Sequence, residues 1–374
     1  MTIQRKQDVL RGVWDSTRLF PFSLAVGVCS GFGAAGGFVT AVLCGLLGVL
    51  CGAAFCPTYL ALLPVFSLAF RFGAGSAGAA LVLGGVFTFL WTLLPEKVRT
   101  RLTDPAVRAG FIPAAAFVTT ALQTTNYFGI GAVGGTVREI VADYISLGFH
   151  PNWRGVLYGT IALVLLITYP RKYKRLHKKI APAFATLLIV LPLNLLLVPD
   201  AAHTPINEIG RLDLRALSDH MFLRGTFTPA MLPAVLCAAL SIALLTAGAL
   251  PADRARQLSA VHLLTGCLGG VPCEADVEPR GRLGALVCTV LSAGLYFVPG
   301  LARVPVHALA VILIVTAWQS LPKDEIRTAF RTKRGILLFF CALALPIVSD
   351  TLYAVPLLAS LGAFIKPAKD NLQS

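Results

Sequence analysis

The sequence predicts an all-α polytopic membrane protein, a 7+7 inverted-repeat fold of about 12–14 transmembrane segments with two half-helices, elements 3 and 10. Three observations carry this. Of 374 residues 56% are hydrophobic and 13% are charged, about half the charge of an ordinary soluble domain, which excludes a water-soluble globule. The charges are also widely spaced: no Asp, Glu, Lys or Arg occurs from 19 to 70, and bare stretches recur as far as 365. A helix needs about 20 apolar residues to cross the hydrocarbon core. Finally, Pro and Gly interrupt two apolar segments at matching places in the two halves. No run alternates in polarity as a transmembrane strand does, which excludes a β-barrel.

Turns placed at charges, Pro and Gly give the elements in order. Residues 1–18, with Arg5, Lys6, Arg11 and Arg18, form a cytoplasmic amphipathic lead-in. The apolar region behind them is too long for the h-region of a cleaved signal, and no A-x-A site follows in the right place. The first repeat, 19–198, holds segments near 20–35, 37–53, 57–70, 75–95, 109–128, 153–169 and 180–198. An extracytoplasmic connection spans 199–230. The second repeat, 231–365, holds segments near 231–250, 257–269, 272–279, 283–299, 304–320, 335–348 and 351–365, followed by a cytoplasmic tail, 366–374. Seven spans per half turn the second half upside down relative to the first.

Elements 3 and 10 are too short to cross. Element 3 opens at AAFCPTYLA, where Pro57 suits the first turn of a helix. Element 10 opens at GGVPCEAD, after Gly269, Gly270 and Pro272. Both read as half-helices whose amino termini, with unpaired N–H groups and a partial positive charge, point into the membrane and seat an anion. The other reading is two packed spans kinked by Pro and Gly.

A net charge of +14 raises nucleic-acid binding, and the placement of the charges excludes it. With a cytoplasmic amino terminus, 25 of the 32 Lys and Arg residues fall in inner segments, the pattern of the positive-inside rule. The run RKYKRLHKK at 171–179 is an inner loop touching anionic lipid. Eight of nine cysteines lie in apolar spans and read as small buried hydrophobes. With no C-x-x-C pair and no ligand spacing among the six histidines, neither a metal nor another cofactor is expected. His262 and His307 lie in spans without an acidic neighbour. Gln123 to Asn126 read as helix-to-helix bonding groups, Asp350 as an N-cap, and GAGSAGAALVLGG at 73–85 as a small-residue packing face.

Several segments resemble the sulfate permease (SulP) superfamily of anion transporters. PFSLAVGVCSGFGAAGGFVTAVLCGLLGVL at 21–50 is similar to that family's first two helices, FCPTYLA to the start of its third, and GFIPAAAFVTTALQTTNYFGI at 110–130 to its fifth. NWRGVLYGTIALVLLI and KRLHKKIAPAFATLLIVL are similar to the sixth and seventh. ALSIALL, LTGCLGGVP, GRLGALV, VPVHALAVILIVTAW and SDTLYAVPLLASLGAF follow the later helices in order. The ordered series, over nearly the whole chain, carries the resemblance.

The resemblance implies a core and a gate domain, with one anion held between the amino termini of elements 3 and 10 and moved by an elevator-like shift. It places Phe22 and Ser23, Pro57, Thr58 and Tyr59, and Pro272, Cys273 and Glu274 at the substrate seat. It also implies a cytoplasmic STAS domain, for which only IKPAKDNLQS remains after Phe364. The chain departs from the family at the seat. Phe22 stands where a Gln is usual, nothing ionisable follows ALSIALL before Asp253, and element 10 reads CEADVEPR. Glu274 and Asp276 either cap a helix or face the cavity, where Glu274 makes transport pH-dependent.

The expected function is secondary transport of a small anion (sulfate, bicarbonate, a halide or a carboxylate), alone or with a proton or cation. The protein is expected to be a multi-pass inner-membrane homodimer with both termini cytoplasmic, touching lipid, with no enzymatic activity. The alternative is a non-transporting scaffold or accessory subunit of the same fold.

Overall fold

The computed structural model describes residues 3–196, 207–222, 228–279 and 281–365. The tail at 366–374 and parts of the 199–230 connection lie outside the described residues. The first half runs α1 (Ile3–Cys29), α2 (Gly33–Cys51), β1 (Ala53–Pro57), α3 (Tyr59–Phe72), α4 (Ala74–Trp91), α5 (Glu96–Leu102), α6 (Pro105–Phe128), α7 (Val137–Leu147), α8 (Trp153–Lys172), α9 (Lys174–His177) and α10 (Pro182–Leu196). The second half runs α11 (Leu232–Ala247), α12 (Ala252–Leu268), β2 (Cys273–Pro279), α13 (Arg282–Leu295), α14 (Val306–Gln319), α15 (Lys323–Ala329), α16 (Lys333–Val348) and α17 (Thr351–Phe364).

The packing repeats across the halves. In the second half α13 lies against α1 and α2, and in the first α4 lies against α11 and α12. Likewise α14 packs on α8 where α6 packs on α16, and α1 on α10 where α11 packs on α17. Each of these contacts is matched by its counterpart under exchange of the halves, as in an inverted repeat. One layer holds α1 to α4 and α11 to α13. The other holds α6 to α10 and α14 to α17.

Close approach in the first layer rests on glycine. A Cβ on Gly78 would lie 3.1 Å from the Gly266 carbonyl, and one on Gly266 would lie 2.7 Å from the Val82 nitrogen. The 73–85 stretch is thus the contact face of α4 with α12. Helix starts follow their capping residues: Asp104 accepts from Ala106 N at 2.9 Å ahead of Pro105, Thr136 and Glu139 form a capping box on α7, and Asp350 accepts from Leu352 N at 2.9 Å.

Among the described residues, α2, α4, α6, α8 and Pro229–Ala247 are long and apolar enough to cross a membrane alone. α14 and α15 together are also long and apolar enough, as one broken span or a re-entrant pair bent by 46°. The remaining apolar helices are shorter, 14 or 15 residues in α3, α10, α13 and α17, or about 21 Å at 1.5 Å per residue.

Two expectations are corrected here. The lead-in at 1–18 is not a separate element, because α1 runs unbroken from Ile3 to Cys29 with Pro21 inside it. Pro21 costs the helix one internal hydrogen bond without ending it. Element 10 is not a half-helix: residues 273–279 form an extended strand, antiparallel to β1, with Cys56 opposite Glu274 and Pro57 opposite Cys273. The reason lies in the flanks. Gly52 and Gly269 end the preceding helices in the left-handed region, at φ 62° and 74°, and Pro57, Pro272 and Pro279 bound segments too short to nucleate a helix. Non-helical backbone at membrane depth must be satisfied by protein, and each strand supplies the other's partners.

Candidate functional site

The strand pair closes one end of a cavity of about 790 Å³ between the two layers. Cys56, Glu274, Ala275 and Asp276 form that end, and the carboxyl end of α11 forms one wall. Opposite stand the start of α6, with Arg108 and Phe111, and Val355, Leu358 and Ala359 of α17. Arg18 of α1 and Glu325 of α15 complete it. A second, small void of about 20 Å³ is lined by Tyr59, Cys29, Gln123 and Leu313 among others; it has room for about one water.

Glu274 projects from β2 into the large cavity and is held on both sides by β1. Cys56 Sγ donates to its Oε1 at 3.7 Å, and Thr58 and Arg108 act on its carboxylate from β1's end and from across the cavity. Standing on a strand, Glu274 and Asp276 cap no helix. Thr58 does: it is the N-cap of α3 and accepts from Leu60 N at 3.3 Å. Its own N–H is engaged, donating to Pro272 O at 3.0 Å. Pro57 ends β1 rather than opening α3, so the free donors of α3 begin one residue later than the sequence suggests.

The eight residues named from sequence therefore separate. Pro57, Thr58, Pro272, Cys273 and Glu274 meet at the strand pair, and of these Glu274 lines the cavity. Cys273 faces the other way, its Sγ 3.5 Å from Cys44 Sγ and its carbonyl 2.8 Å from His262 Nε2. His262 is thus bonded to the strand backbone. Tyr59 turns its hydroxyl to Ser320 and to Ala317 O of α14. Ser23 is fully buried and bonds Tyr296 Oη at 2.9 Å, and Phe22 is half-buried against the main core. Neither lines the cavity. Sequence reasoning missed Arg18, counted as an inner-loop cation, and Cys56, counted as a buried hydrophobe; for both, the signal was position beside Pro21 and Pro57. Gln123 does bond between helices, donating to Cys29 O at 3.2 Å and accepting from Asn126 at 2.8 Å.

Fold and cavity together define an inverted-repeat polytopic membrane protein with a chamber between two helical layers. No family model and no curated protein matches the sequence. Among solved structures the fold is that of the transmembrane domain of a cyanobacterial bicarbonate transporter, BicA, at TM-score 0.73 and 16% identity, covering 97% of this chain and 98% of that one. It is equally that of SLC26A9, at TM-score 0.76 and 12% identity, covering 96% of this chain and 65% of that one. The murine Slc26a9 anion transporter in the inward-facing state gives TM-score 0.75 and 12% identity, with 96% and 67% covered. The chain spans about two thirds of the length of the SLC26A9 chains. The fold implied by the ordered segment resemblance is thus the fold of the molecule.

Proposed function

We propose that the protein is a secondary transporter of a small anion, working by an elevator-like movement of the first layer against the second. The observation that carries this is the 790 Å³ cavity ending on the paired strands at the interlayer boundary, in a fold whose solved neighbours include a bicarbonate transporter and an anion transporter. Arg18, Arg108 and Glu325 line the cavity, and they belong to segments that the positive-inside rule assigns to the cytoplasm, which supports reading this form as inward-open. A scaffold with a decayed site needs no such chamber, and its volume speaks against that alternative.

The test is uptake by proteoliposomes of labelled sulfate, bicarbonate, chloride and succinate under imposed gradients. Movement of at least one supports the reading. No movement, with no anion raising the melting temperature, overturns it in favour of the scaffold. The protein is further proposed to be an inner-membrane homodimer.

A further inference from the structure

The cavity carries six charged side chains, two basic and four acidic, and five have an ion-pair or hydrogen-bond partner. Asp104 Oδ2 lies 2.6 Å from Arg334, Arg108 lies 3.8 Å from Glu325, Glu274 accepts from Cys56 Sγ at 3.7 Å, and Asp276 has a partner of its own. The sixth is Arg18. It is exposed to the cavity and makes no ion pair among the described residues. Its guanidinium lies over the Trp14 ring, 5.0 Å from the centroid, one helical turn back on the same face of α1. Its charge reaches Cys56 at the strand pair.

An arginine held over an indole by cation–π attraction keeps its planar fork of donors free for a ligand. Such a fork meets two oxygens on one atom with two parallel hydrogen bonds, a geometry that a spherical halide cannot use. Beside it the helix is tied to the start of α10, where Thr17 Oγ1 accepts from Ala181 N at 3.0 Å. The guanidinium is therefore presented to the chamber by a braced element.

We infer that Arg18 is the charge partner of the transported anion and that the substrate is an oxyanion, a carboxylate, bicarbonate or sulfate, rather than a halide. The inference rests on the anion-transport reading and names the substrate class for its cavity. Trp14 is the positioning residue: it touches the guanidinium and leaves the anion to Arg18.

Trp14 also supplies a readout that does not require transport. The full chain in lipid nanodiscs is titrated with acetate, sulfate and chloride while tryptophan emission is followed, and the same anions are offered to proteoliposomes. Acetate or sulfate is expected to change the emission with saturation, at least tenfold more tightly than chloride, and Trp14→Phe to remove that change. Arg18→Lys keeps the charge but loses the fork, and is expected to weaken oxyanion binding at least tenfold while leaving the melting temperature in place and chloride affinity within twofold. Equal oxyanion affinity in Arg18→Lys, or chloride bound as tightly as acetate and sulfate, overturns the assignment. Chloride alone bound and moved sinks this inference and leaves anion transport standing; no anion bound or moved sinks both.

Discussion

Arg71 Nε of α3 lies 2.8 Å from Asp350 Oδ2, the residue that caps α17, and so ties the first layer to the second. Ser67 Oγ donates to the other carboxylate oxygen at 2.6 Å, and a second Arg71 nitrogen donates to Glu139 Oε1 at 3.4 Å. The cluster lies at the carboxyl end of α3, away from the cavity. Movement of one layer past the other must break it. Arg71 is 38% exposed, so screening leaves the pair about 1 kcal/mol, or about fivefold in an equilibrium. Asp350→Asn keeps the cap and removes the charge. It is expected to slow labelling of Cys56 by a charged thiol reagent applied from the cavity side, by up to about fivefold. Cys56→Ser supplies the background, and an unchanged rate means the tie does not bias the two forms.

Thr58 caps α3. Thr58→Ala is expected to cost about 1 kcal/mol of stability through the lost cap, with Thr58→Ser close to wild type. Thermal unfolding in detergent measures both. A neutral Thr58→Ala would assign the Leu60 N–H to another partner.

A Cβ on Gly155 would lie 1.9 Å from His307 Nε2, and His307 is fully buried between α8 and α14. Gly155→Ala is expected to destabilise by about 3 kcal/mol, at the high end for overpacking. His307→Ala should restore much of it in the double variant, a coupling read by a double-mutant cycle. Additive effects would place the strain elsewhere.

His220, in the connection, stacks on Phe32 with ring centroids 4.6 Å apart. Burial pushes its pKa down from the usual 6.5, against the opposing pull of Asp219. The folded state therefore prefers the neutral ring, while the unfolded chain takes up a proton near 6.5. Its contribution is full above about pH 6.5 and falls as pH drops below that value. His220→Gln is expected to flatten the dependence of melting temperature on pH between about 5 and 7, and an identical slope in the variant counts against it.

The homodimer is expected to form through α16 and α17. Both are short for a span, a mismatch relieved by oligomerising, and they expose Leu337, Phe340, Tyr353 and Leu357. Native mass spectrometry from nanodiscs should give a dimer, with Leu337→Ser and Leu357→Ser shifting it toward monomer. A monomer at every concentration in wild type rules it out.

What the chain reveals unaided follows from the range of the interactions involved. Spans were legible because charge is excluded from hydrocarbon residue by residue, and caps such as Asp350 because they act over two or three positions. The strand pair was not legible. AAFCP and CEADVEP lie more than 200 residues apart, and a short apolar run read alone suits a helix as well as a strand. The same distance hid the contact of Ser23 with Tyr296, and it hid Arg18, whose place in the cavity depends on elements far along the chain.

The strand that replaces the second half-helix leaves one helix amino terminus, that of α3, where an exact repeat would set two head to head. In a carrier with matched halves, the two end states are mirror images related by the internal dyad and lie close in energy. Here the dyad is broken at its own axis. For the carrier proposed above, the two end states are then expected to be inequivalent, with forward and reverse fluxes that differ at equal and opposite gradients. Such a carrier is expected to act as a rectifier, resting with its chamber turned to one side of the membrane.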